Sequence, residues 1–460
     1  MTSTMPDPIE LQRRLDELAV KHGVPGATAG VLSGDELEVV ATGVTRLGSQ
    51  NPVTPDTLFL IASITKVWTA TLVMGLVDEG RVDVDAPVTD YLDPPLRLGD
   101  SQVAKTVTVG QLLCHTGGFF GDADEPSGRE DDAVRRTVDS YDSLAQLHRP
   151  GALFSYSNAG FNVLGRVVEC VTDSTWDDAL RTRLIESLGL EHTSTLPEET
   201  MTRLHAVGHE PSGPDTLELE PVTPWLDPRG SGPCGGTLAT TAGDLLAFAR
   251  LHLRDGFAPS GKRLLEAATA RAMREPRIAQ PDPSTSPAWG WGWGIERIDA
   301  PLVVEHGGNT CGQESLLVVV PERDLAVCAL TNGDAQGLLR DQFAAGVLED
   351  LVGISRPRLP DPVDDDIDTA PYIGSYRRSE ELTIEVTAGE SGLEAAFVTG
   401  GKIAERVPSF TTPMTYAGGT TFRVTIPPMT EPIAATFVYE GEATGPATHL
   451  ALGLRVAPRV

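Results

Sequence analysis

The segment 59–80, FLIASITKVWTATLVMGLVDEG, restricts the fold of this chain more than any other stretch. It opens as a short apolar run, and from Ile64 onward its apolar residues follow helical spacing up to Gly80, a common stop signal. Ser63 and Lys66 are three residues apart at the start of this helix, so their side chains fall on one face of its first turn. A desolvated lysine can take the proton of a serine hydroxyl, and a helix N-terminus stabilises a developing oxyanion. The segment therefore predicts a nucleophile helix, although S-x-x-K alone also fits an N-cap serine followed by a surface lysine.

Strand and helix patterns on both sides of this segment predict one sheet covered by helices. Residues 9–22 have the spacing of an amphipathic helix, and the runs Ala27–Leu32 and Leu37–Thr42 predict a hairpin. The pattern is mostly helical from 81 to 203, and four successive strands begin at residue 289 and close the same sheet as an antiparallel meander. The predicted fold class is α+β, an α/β sandwich in which helices flank an antiparallel sheet, with an added helical subdomain.

Two further patterns concern aromatic residues. Trp289, Trp291 and Trp293 alternate with glycine, which predicts a strand with all three indoles on one face, packed in the core or with one of them in a substrate cleft. His115 ends a short helix that breaks at Gly117-Gly118, and there a structural role is favoured over a ligand role.

The last hundred residues differ from the rest of the chain. Residues 357–370 are rich in proline and aspartate, which is typical of a linker. Beyond residue 372 the apolar runs are short and have no helical period; they are Leu382–Val386, Leu393–Val398, Thr421–Ile426, Ala434–Tyr439 and His449–Val456. Such a segment predicts a small antiparallel β-domain that closes into a barrel and so hides its edges. The predicted organisation is a catalytic domain at 1–356, a linker at 357–371 and a barrel at 372–460.

Two later motifs place polar residues where loops often present chemistry. Tyr156-Ser157-Asn158 stands between a Pro-Gly turn and a new apolar helix. Taken singly, Tyr156 also fits a hydroxyl-bonded core residue, and Asn158 also fits a plain N-cap. His306-Gly307-Gly308-Asn309 follows a strand, and paired glycines there let a substrate backbone lie along the sheet edge.

In chain order, Ser63-Ile64-Thr65-Lys66, Tyr156-Ser157-Asn158 and His306-Gly307-Gly308 resemble the S-x-x-K, S-D-N and K-T-G motifs of serine β-lactamases and penicillin-binding proteins. The Tyr-x-Asn form looks like the class C β-lactamase branch, and the His-x-Gly form is similar to its esterase and D-aminopeptidase relatives. The resemblance covers roughly residues 10–350. It implies a β-lactamase/transpeptidase-like catalytic domain, followed here by a lipocalin-like barrel.

The resemblance also implies roles for the motif residues. Ser63 would attack a carbonyl and become acylated, with Lys66 and Tyr156 as its shared general base. Asn158 would hold an amide of the substrate. The backbone N–H groups of Ser63 and Asn309 would form the oxyanion hole.

The same resemblance implies that Gly307 and Gly308 lie where the strand pairs with substrate. His306 stands where the family usually has a lysine, and a neutral imidazole is a weaker anchor for a carboxylate. That departure argues against β-lactam recognition. The sequence has no metal-ligand cluster and no phosphate loop, so neither a metal nor another cofactor is expected.

A catalytic domain followed by a lipocalin-like barrel looks most like the penicillin-binding-protein-type thioesterases, the stand-alone cyclases of nonribosomal peptide biosynthesis. This likeness implies transfer of a peptide from a carrier-protein thioester onto Ser63 and release as a macrocycle, with a preference for a D-residue at the acyl end. The barrel would shield the acyl-enzyme from water, and Arg455 would reach the site to hold a carbonyl or carboxylate, unless it is a surface arginine.

The open alternative is a cytoplasmic serine esterase, β-lactamase-like hydrolase or D-amino-acid peptidase that uses water. A peptide-binding protein with a decayed site is disfavoured because Ser63, Lys66 and Tyr156 are all present.

Composition limits the partners. The net charge of −29 argues against a nucleic-acid partner, and it also opposes docking of an acidic carrier protein. No stretch approaches the roughly 20 apolar residues of a membrane span. The first residues lack the basic start and apolar run of a secretory signal, and the five scattered cysteines fit free thiols. A cytoplasmic protein without a membrane partner is therefore expected.

Overall fold

The structure, a computed structural model, describes residues 5–123, 127–213, 216, 218–334, 336–389, 392–427 and 429–460. Its α-helices are α1 (Pro8–His22), α2 (Thr65–Asp78), α3 (Ser101–Thr106), α4 (Val109–Leu113), α5 (Ala133–Asp139), α6 (Asn158–Thr172), α7 (Trp176–Leu180), α8 (Glu186–Leu188), α9 (Pro197–Thr200), α10 (Ala242–Leu253), α11 (Ala267–Ala272), α12 (Leu338–Val352) and α13 (Gly401–Arg406). Its strands are β1 (Gly26–Ser33), β2 (Glu36–Gly43), β3 (Phe59–Leu60), β4 (Thr193–Ser194), β5 (His209–Pro211), β6 (Leu219–Pro221), β7 (Ala239–Thr240), β8 (Ile278–Ala279), β9 (Ala288–Trp289), β10 (Gly294–Arg297), β11 (Val303–Thr310), β12 (Gln313–Val320), β13 (Leu325–Thr331), β14 (Gly374–Ser379), β15 (Leu382–Gly389), β16 (Gly392–Thr399), β17 (Phe410–Tyr416), β18 (Thr421–Val424), β19 (Ile433–Val438), β20 (His449–Leu452) and β21 (Arg455–Pro458).

One eight-stranded antiparallel sheet forms the centre of the larger part of the chain, in the order β2-β1-β13-β12-β11-β10-β9-β8. Side chains alternate along its inner strands. Leu316 and Val318 of β12 pack in the layer that contains α1 and α12, whereas Leu317 and Val319 pack in the layer that contains α2 and α10. A sheet buried on both faces requires apolar residues at both sets of positions. The predicted sandwich of helices around an antiparallel sheet is confirmed.

Helix α2 lies in the middle of the helical side of this sandwich. Trp68 stacks on Phe248 of α10, with the ring centroids 3.8 Å apart. On the opposite side, the indole N–H of Trp176 donates to Thr69 Oγ1 at 3.2 Å, which ties α2 to the subdomain formed by α3 to α9. Because α2 is packed from both sides, the residues at its N-terminus are held rigidly.

The second eight-stranded sheet contains β14 to β21 in chain order. Tyr376 of β14 forms an antiparallel bridge with Arg459, just after β21, so the sheet closes on itself. Aromatic residues, including Phe422 and Phe437, fill the interior. These features confirm the predicted lipocalin-like barrel. The run His449–Val456 forms two strands rather than the single strand predicted, because Gly453 turns the chain with a φ of 57°.

The prediction that the three tryptophans share one strand and one face was wrong. Gly294 pairs with Trp289 across a tight turn, so β9 and β10 are two antiparallel strands and not one. The turn is possible because Gly292 adopts a φ of +85°, and a side chain there would also meet Ala70. Trp293 packs in the core, Trp291 stacks on a surface arginine, and Trp289 faces the region described next.

Across the described part of the chain, no helix has both the length and the apolar character needed to cross a membrane.

Candidate active site

Ser63 lies in a 3-10 turn, Ala62–Ile64, between β3 and α2. Ala62 adopts a φ of 48°, which is uncommon for a residue with a side chain. Gly235 packs against this turn so closely that a Cβ there would lie 2.8 Å from the amide nitrogen of Ser63. The helix α2 begins at Thr65, two residues after the nucleophile. The strained turn holds Ser63 half-buried just before this helix.

Lys66 is fully buried, and its Nζ lies 3.1 Å from Ser63 Oγ. The ammonium also donates to the carbonyl of Cys234 and lies 4.8 Å from the centroid of the Tyr156 ring. The Nζ of Lys66 is thus within hydrogen-bond distance of the Ser63 hydroxyl, as a general base for that hydroxyl must be.

Tyr156 lies in the loop before α6, and its hydroxyl is buried with no hydrogen-bond partner in the described part of the chain. A buried hydroxyl without a partner is unusual in a folded protein and requires an explanation. Two cationic side chains lie near its ring, with Lys66 Nζ at 4.8 Å and Arg455 Cζ at 5.1 Å from the ring centroid.

His115 supports Tyr156 from behind. The two rings stack with centroids 4.2 Å apart, and His115 Nδ1 accepts the backbone N–H of Ser157 at 3.0 Å. Burial, together with the charge of Lys66, lowers the pKa of His115 well below its usual value, so the imidazole is neutral. This geometry agrees with the structural role expected for His115, and it adds that the histidine positions a candidate catalytic tyrosine.

We expect His115→Phe to lower kcat about tenfold with a small change in KM, because the stacking partner remains but the Ser157 N–H loses its acceptor. The measurement is steady-state kinetics with an ester substrate, together with the pH profile of kcat, which is expected to shift if Tyr156 is displaced. His205→Phe, at a histidine whose Nδ1 lies 2.9 Å from the Arg203 carbonyl oxygen and whose ring contacts Trp225, is the control. Equal kcat values and pH profiles for the two variants would contradict this role.

The strand β11 passes directly beside the nucleophile. A Cβ at Gly308 would lie 2.4 Å from the carbonyl oxygen of Ile61, so only glycine allows this approach. Strand β10 pairs with β11 only at Val303–Glu305, which leaves the following stretch of β11 without a strand neighbour on that side among the described residues. Gly307, Gly308 and Asn309 therefore lie on an open edge where an extended substrate can pair.

His306 is the first residue of this open edge. Its Nδ1 lies 2.6 Å from the carbonyl oxygen of Gly307, and its Nε2 is buried without a partner in the described structure. Burial and the charge of Lys66 lower the pKa of His306 to about 3. The imidazole is therefore neutral at physiological pH, and it offers no charge to a substrate carboxylate.

Asn158 is the first residue of α6, but it does not cap the helix. The N-cap is Ser157, whose Oγ accepts the N–H of Gly160 at 2.9 Å. The Nδ2 of Asn158 lies instead 3.5 Å from a carboxylate oxygen of Asp122, at the limit of a hydrogen bond. The amide of Asn158 is thus available beside Tyr156, and the N-cap alternative is wrong.

Asp122 joins the barrel to these residues. Its carboxylate accepts hydrogen bonds from two barrel arginines, Arg455 at 2.6 Å and Arg378. Burial opposes ionisation of Asp122, but the two arginine charges outweigh it and hold the pKa of the carboxyl below its usual value. The structure thus places Arg455 over the Tyr156 ring. Asp122, which holds it there, was not among the predicted residues.

The turn between β20 and β21 also contacts the site through its backbone. The N–H of Tyr156 donates to the carbonyl of Leu454 at 2.8 Å, and the N–H of Val456 lies 3.3 Å from Ser155 Oγ. The Leu454 side chain packs against a cluster that contains Tyr156 and Trp289. These contacts cover the cleft from the barrel side.

Most of the residues singled out in the sequence meet in one place, although they come from four distant segments. Sequence reasoning missed Asp122, Leu454 and the carbonyl of Cys234, because these positions carry no motif and act through tertiary contacts. The sequence around His115 predicted a structural role for this residue, but its contact with Tyr156 is seen only in the folded structure.

The family model described as Beta-lactamase matches residues 11–348. The chain belongs to the β-lactamase family. This family member is 40% identical to penicillin-binding protein 4 of Amycolatopsis lactamdurans over 373 residues, which are 80% of this chain and 97% of that protein. The resemblance inferred from the three motifs is confirmed, and the chain is a serine hydrolase or acyltransferase.

Solved structures extend the likeness to the barrel. SurE superposes with a TM-score of 0.81 at 28% identity, over 98% of this chain and 99% of SurE. The D-amino acid amidase of Ochrobactrum anthropi SV3, in complex with L-phenylalanine amide, matches with a TM-score of 0.61 at 25% identity over 76% of this chain and 98% of the amidase. The amidase likeness thus covers a smaller share of the chain than the SurE likeness does.

Proposed function

We propose that this protein takes a peptidyl group from a carrier-protein thioester onto Ser63 and releases it by head-to-tail cyclisation, with a preference for a D-residue at the acyl end. The observation that carries the proposal is the barrel, which covers the catalytic cleft and is included in the likeness to SurE over 98% of the chain. The structure of SurE with D-Leu supports the preference for a D-residue.

Acylation in this proposal begins with attack of Ser63 Oγ on the thioester carbonyl. Lys66 and Tyr156 take the hydroxyl proton and deliver it to the departing thiolate, which leaves as a thiol. The backbone N–H groups of Ser63 and Asn309 hold the oxyanion, an interaction typically worth about 3–4 kcal/mol per donor. The short distance between Lys66 and Ser63 supports this assignment.

The remaining assigned residues bind substrate in this proposal. Asn158 holds a substrate amide, and the open edge at Gly307 and Gly308 pairs with the peptide backbone. Arg455 holds a carbonyl of the acyl residue, since a guanidinium donates in a fixed direction. The barrel turn excludes water while the acyl-enzyme waits for an amine.

Hydrolysis is the second candidate, and the likeness to the D-amino acid amidase favours it. Water would then replace the amine, with the same residues in the same roles. A serine esterase or D-amino-acid peptidase of this kind differs from a cyclase only in its acyl acceptor.

The test is mass spectrometry of the products from a short peptide thioester that has a free amine and a D-residue at the activated end, beside its L-epimer. We expect a cyclic product from the D-form alone and an acyl adduct on Ser63 when the reaction is stopped early. Linear acid from both epimers would replace the cyclase proposal with the hydrolase. Ser63→Ala, expected to give neither product nor adduct, is the control.

A further inference from the structure

Arg340, in the first turn of α12, lies behind β11 on the face of the sheet opposite to Ser63. A Cβ at Gly307 would lie 3.2 Å from Arg340 Nη1, whereas a Cβ at Gly308 would meet the carbonyl of Ile61 beside the nucleophile. Successive residues of a strand point to opposite faces, so the two glycines mark the two sides of β11. A cation in the first turn of a helix opposes the helix dipole. Stabilisation of α12 therefore does not explain this arginine.

The guanidinium of Arg340 bonds the backbone of two strands at once. Its Nη1 donates to the carbonyl oxygen of Gly308 in β11 at 3.0 Å and to that of Ser315 in β12 at 2.6 Å. The two residues are partners in the register of the sheet. One nitrogen reaches both oxygens only if each carbonyl points toward the other strand, because carbonyls directed away from each other lie too far apart. The Gly308 carbonyl therefore points toward β12.

The Gly308 carbonyl and the N–H of Asn309 belong to the same planar peptide group. In a trans peptide these two bonds point in opposite directions. Because the carbonyl points toward β12, the Asn309 N–H points toward the open edge of β11. A charged donor makes a strong hydrogen bond to a carbonyl, and hydrogen bonds in a chain polarise one another. The bond from the guanidinium thus fixes the plane of this peptide group and strengthens its N–H as a donor.

Glu314 holds this arrangement from behind the strand. It is the register partner of Asn309, its carboxylate accepts a hydrogen bond from Asn309 Nδ2, and its Oε2 lies 2.9 Å from Arg340 Nη1. The start of α12 is fixed as well, because the carboxylate of Asp334 accepts two N–H groups of its first turn, both at 2.9 Å. The guanidinium is therefore held at both its base and its tip.

We propose that Arg340 is a positioning residue of the oxyanion hole. Through the Gly308 carbonyl it orients and polarises the peptide group whose N–H, that of Asn309, binds the oxyanion formed when Ser63 attacks. Arg340 keeps its proton, and no covalent bond to it forms or breaks. This assignment rests on the proposed function, because it concerns the tetrahedral state of the same transfer. A contact made mainly with the oxyanion raises the rate of acylation more than it tightens the binding of substrate.

The first test measures thiol release from the peptide thioester in a single turnover. We expect Arg340→Met to lower the maximal rate of acylation about tenfold and to leave the half-saturating substrate concentration within about twofold. The loss is smaller than that for removal of an oxyanion donor, because the N–H itself remains. Arg340→Lys keeps a charged donor and is expected to lose about threefold. Assays at about pH 8 keep Glu314 ionised, since burial raises the pKa of its carboxyl to about 7.

A peptidyl boronic acid with a D-residue separates positioning from a general loss of structure. It forms a tetrahedral adduct on Ser63 with an oxygen in the oxyanion hole, so its affinity is expected to fall in proportion to the acylation rate. Arg274→Met is the matched control. Arg274 is also a buried arginine, but its hydrogen bonds go to Asp255 and to the carbonyl of His252. This control is expected to lose stability without a change in acylation rate or boronic acid affinity.

Equal acylation rates and boronic acid affinities in Arg340→Met and Arg274→Met would overturn the assignment. A loss of acylation rate with unchanged boronic acid affinity would also overturn it, because the defect would then lie outside the oxyanion hole. If Arg340→Met does not fold, the same comparison between Arg340→Lys and wild type decides the question. Absence of both thiol release and boronic acid binding in the wild type would instead refute the proposed function.

Discussion

Lys66→Met is expected to lower the rate of Ser63 acylation by about 10²–10⁴-fold while the protein remains folded. Methionine keeps most of the apolar stem of the lysine but removes the Nζ that lies 3.1 Å from Ser63 Oγ. A buried charge replaced by an apolar group of similar size is often neutral or stabilising, so the melting temperature is expected to be equal or higher. Thiol release from a thioester and thermal denaturation measure the two effects.

The matched control is Lys105→Met, at an exposed lysine in α3. It is expected to change neither acylation nor melting temperature. If Lys66→Met acylates at the rate of this control, Lys66 does not act as a base. If the variant unfolds, the loss of rate reflects folding instead.

Lys66→Met is also expected to have a consequence that does not depend on catalytic turnover. Burial is the main cause of the low pKa of both His115 and His306, and the charge of Lys66 lowers the two values further. Without that charge, both pKa values are expected to rise. NMR titration of the two histidines measures the shift, and an unchanged pKa in Lys66→Met would mean that Lys66 is not charged in the resting enzyme.

The local patterns in the sequence predicted those parts of the site that depend on short spacings. Ser63 and Lys66 are three residues apart, and a helical start of either α or 3-10 type brings such side chains together. Spacings of this kind hold because backbone geometry alone determines them. The prediction for the glycines was less accurate, because residues 306–309 were expected after a strand but lie within β11, and the contact of Gly308 with the carbonyl of Ile61 was not predicted.

Contacts between distant segments could not be predicted in this way. Asp122 carries no motif, and nothing in its local sequence indicates that it bonds Arg378 and Arg455 more than 250 residues away. In the fold, the alternation of tryptophan with glycine suggested a strand, but Gly292 has the positive φ of a turn, which a period-two pattern does not reveal. The domain boundaries at 356 and 371 stay predictions.

Asp122→Ala is expected to loosen the barrel from the catalytic cleft. The substitution leaves Arg378 and Arg455, whose side chains are about a quarter exposed, without the carboxylate they share. Hydrogen bonds to a charged group are each worth about 1.5–3 kcal/mol when partly buried, so we expect a loss of stability of at least that size. Because Arg455 and the barrel turn cover Tyr156, hydrolysis is also expected to increase relative to the proposed cyclisation.

Glu440→Gln is the matched control for this prediction. Glu440 also joins the two parts of the chain, through Arg149, but that arginine side chain is 76% exposed. An exposed pair of this kind is worth at most about 1 kcal/mol. Denaturation and the ratio of acid to cyclic product compare the variants, and equal effects of the two substitutions would show that Asp122 has no special role in docking.

The stabilising effect of Asp122 is also expected to depend on pH. The two arginines hold the pKa of Asp122 below its usual value of 3.8, so the ionised carboxylate is favoured more in the folded than in the unfolded chain. Its contribution to stability is therefore fully present above that value and is lost as the pH falls through the lowered pKa of the folded state. Hydrogen exchange of the backbone at 454–456 as a function of pH measures barrel docking directly. Wild-type protein is expected to lose protection in this acid range, whereas Asp122→Ala, which lacks the carboxylate, shows low protection that does not change across it.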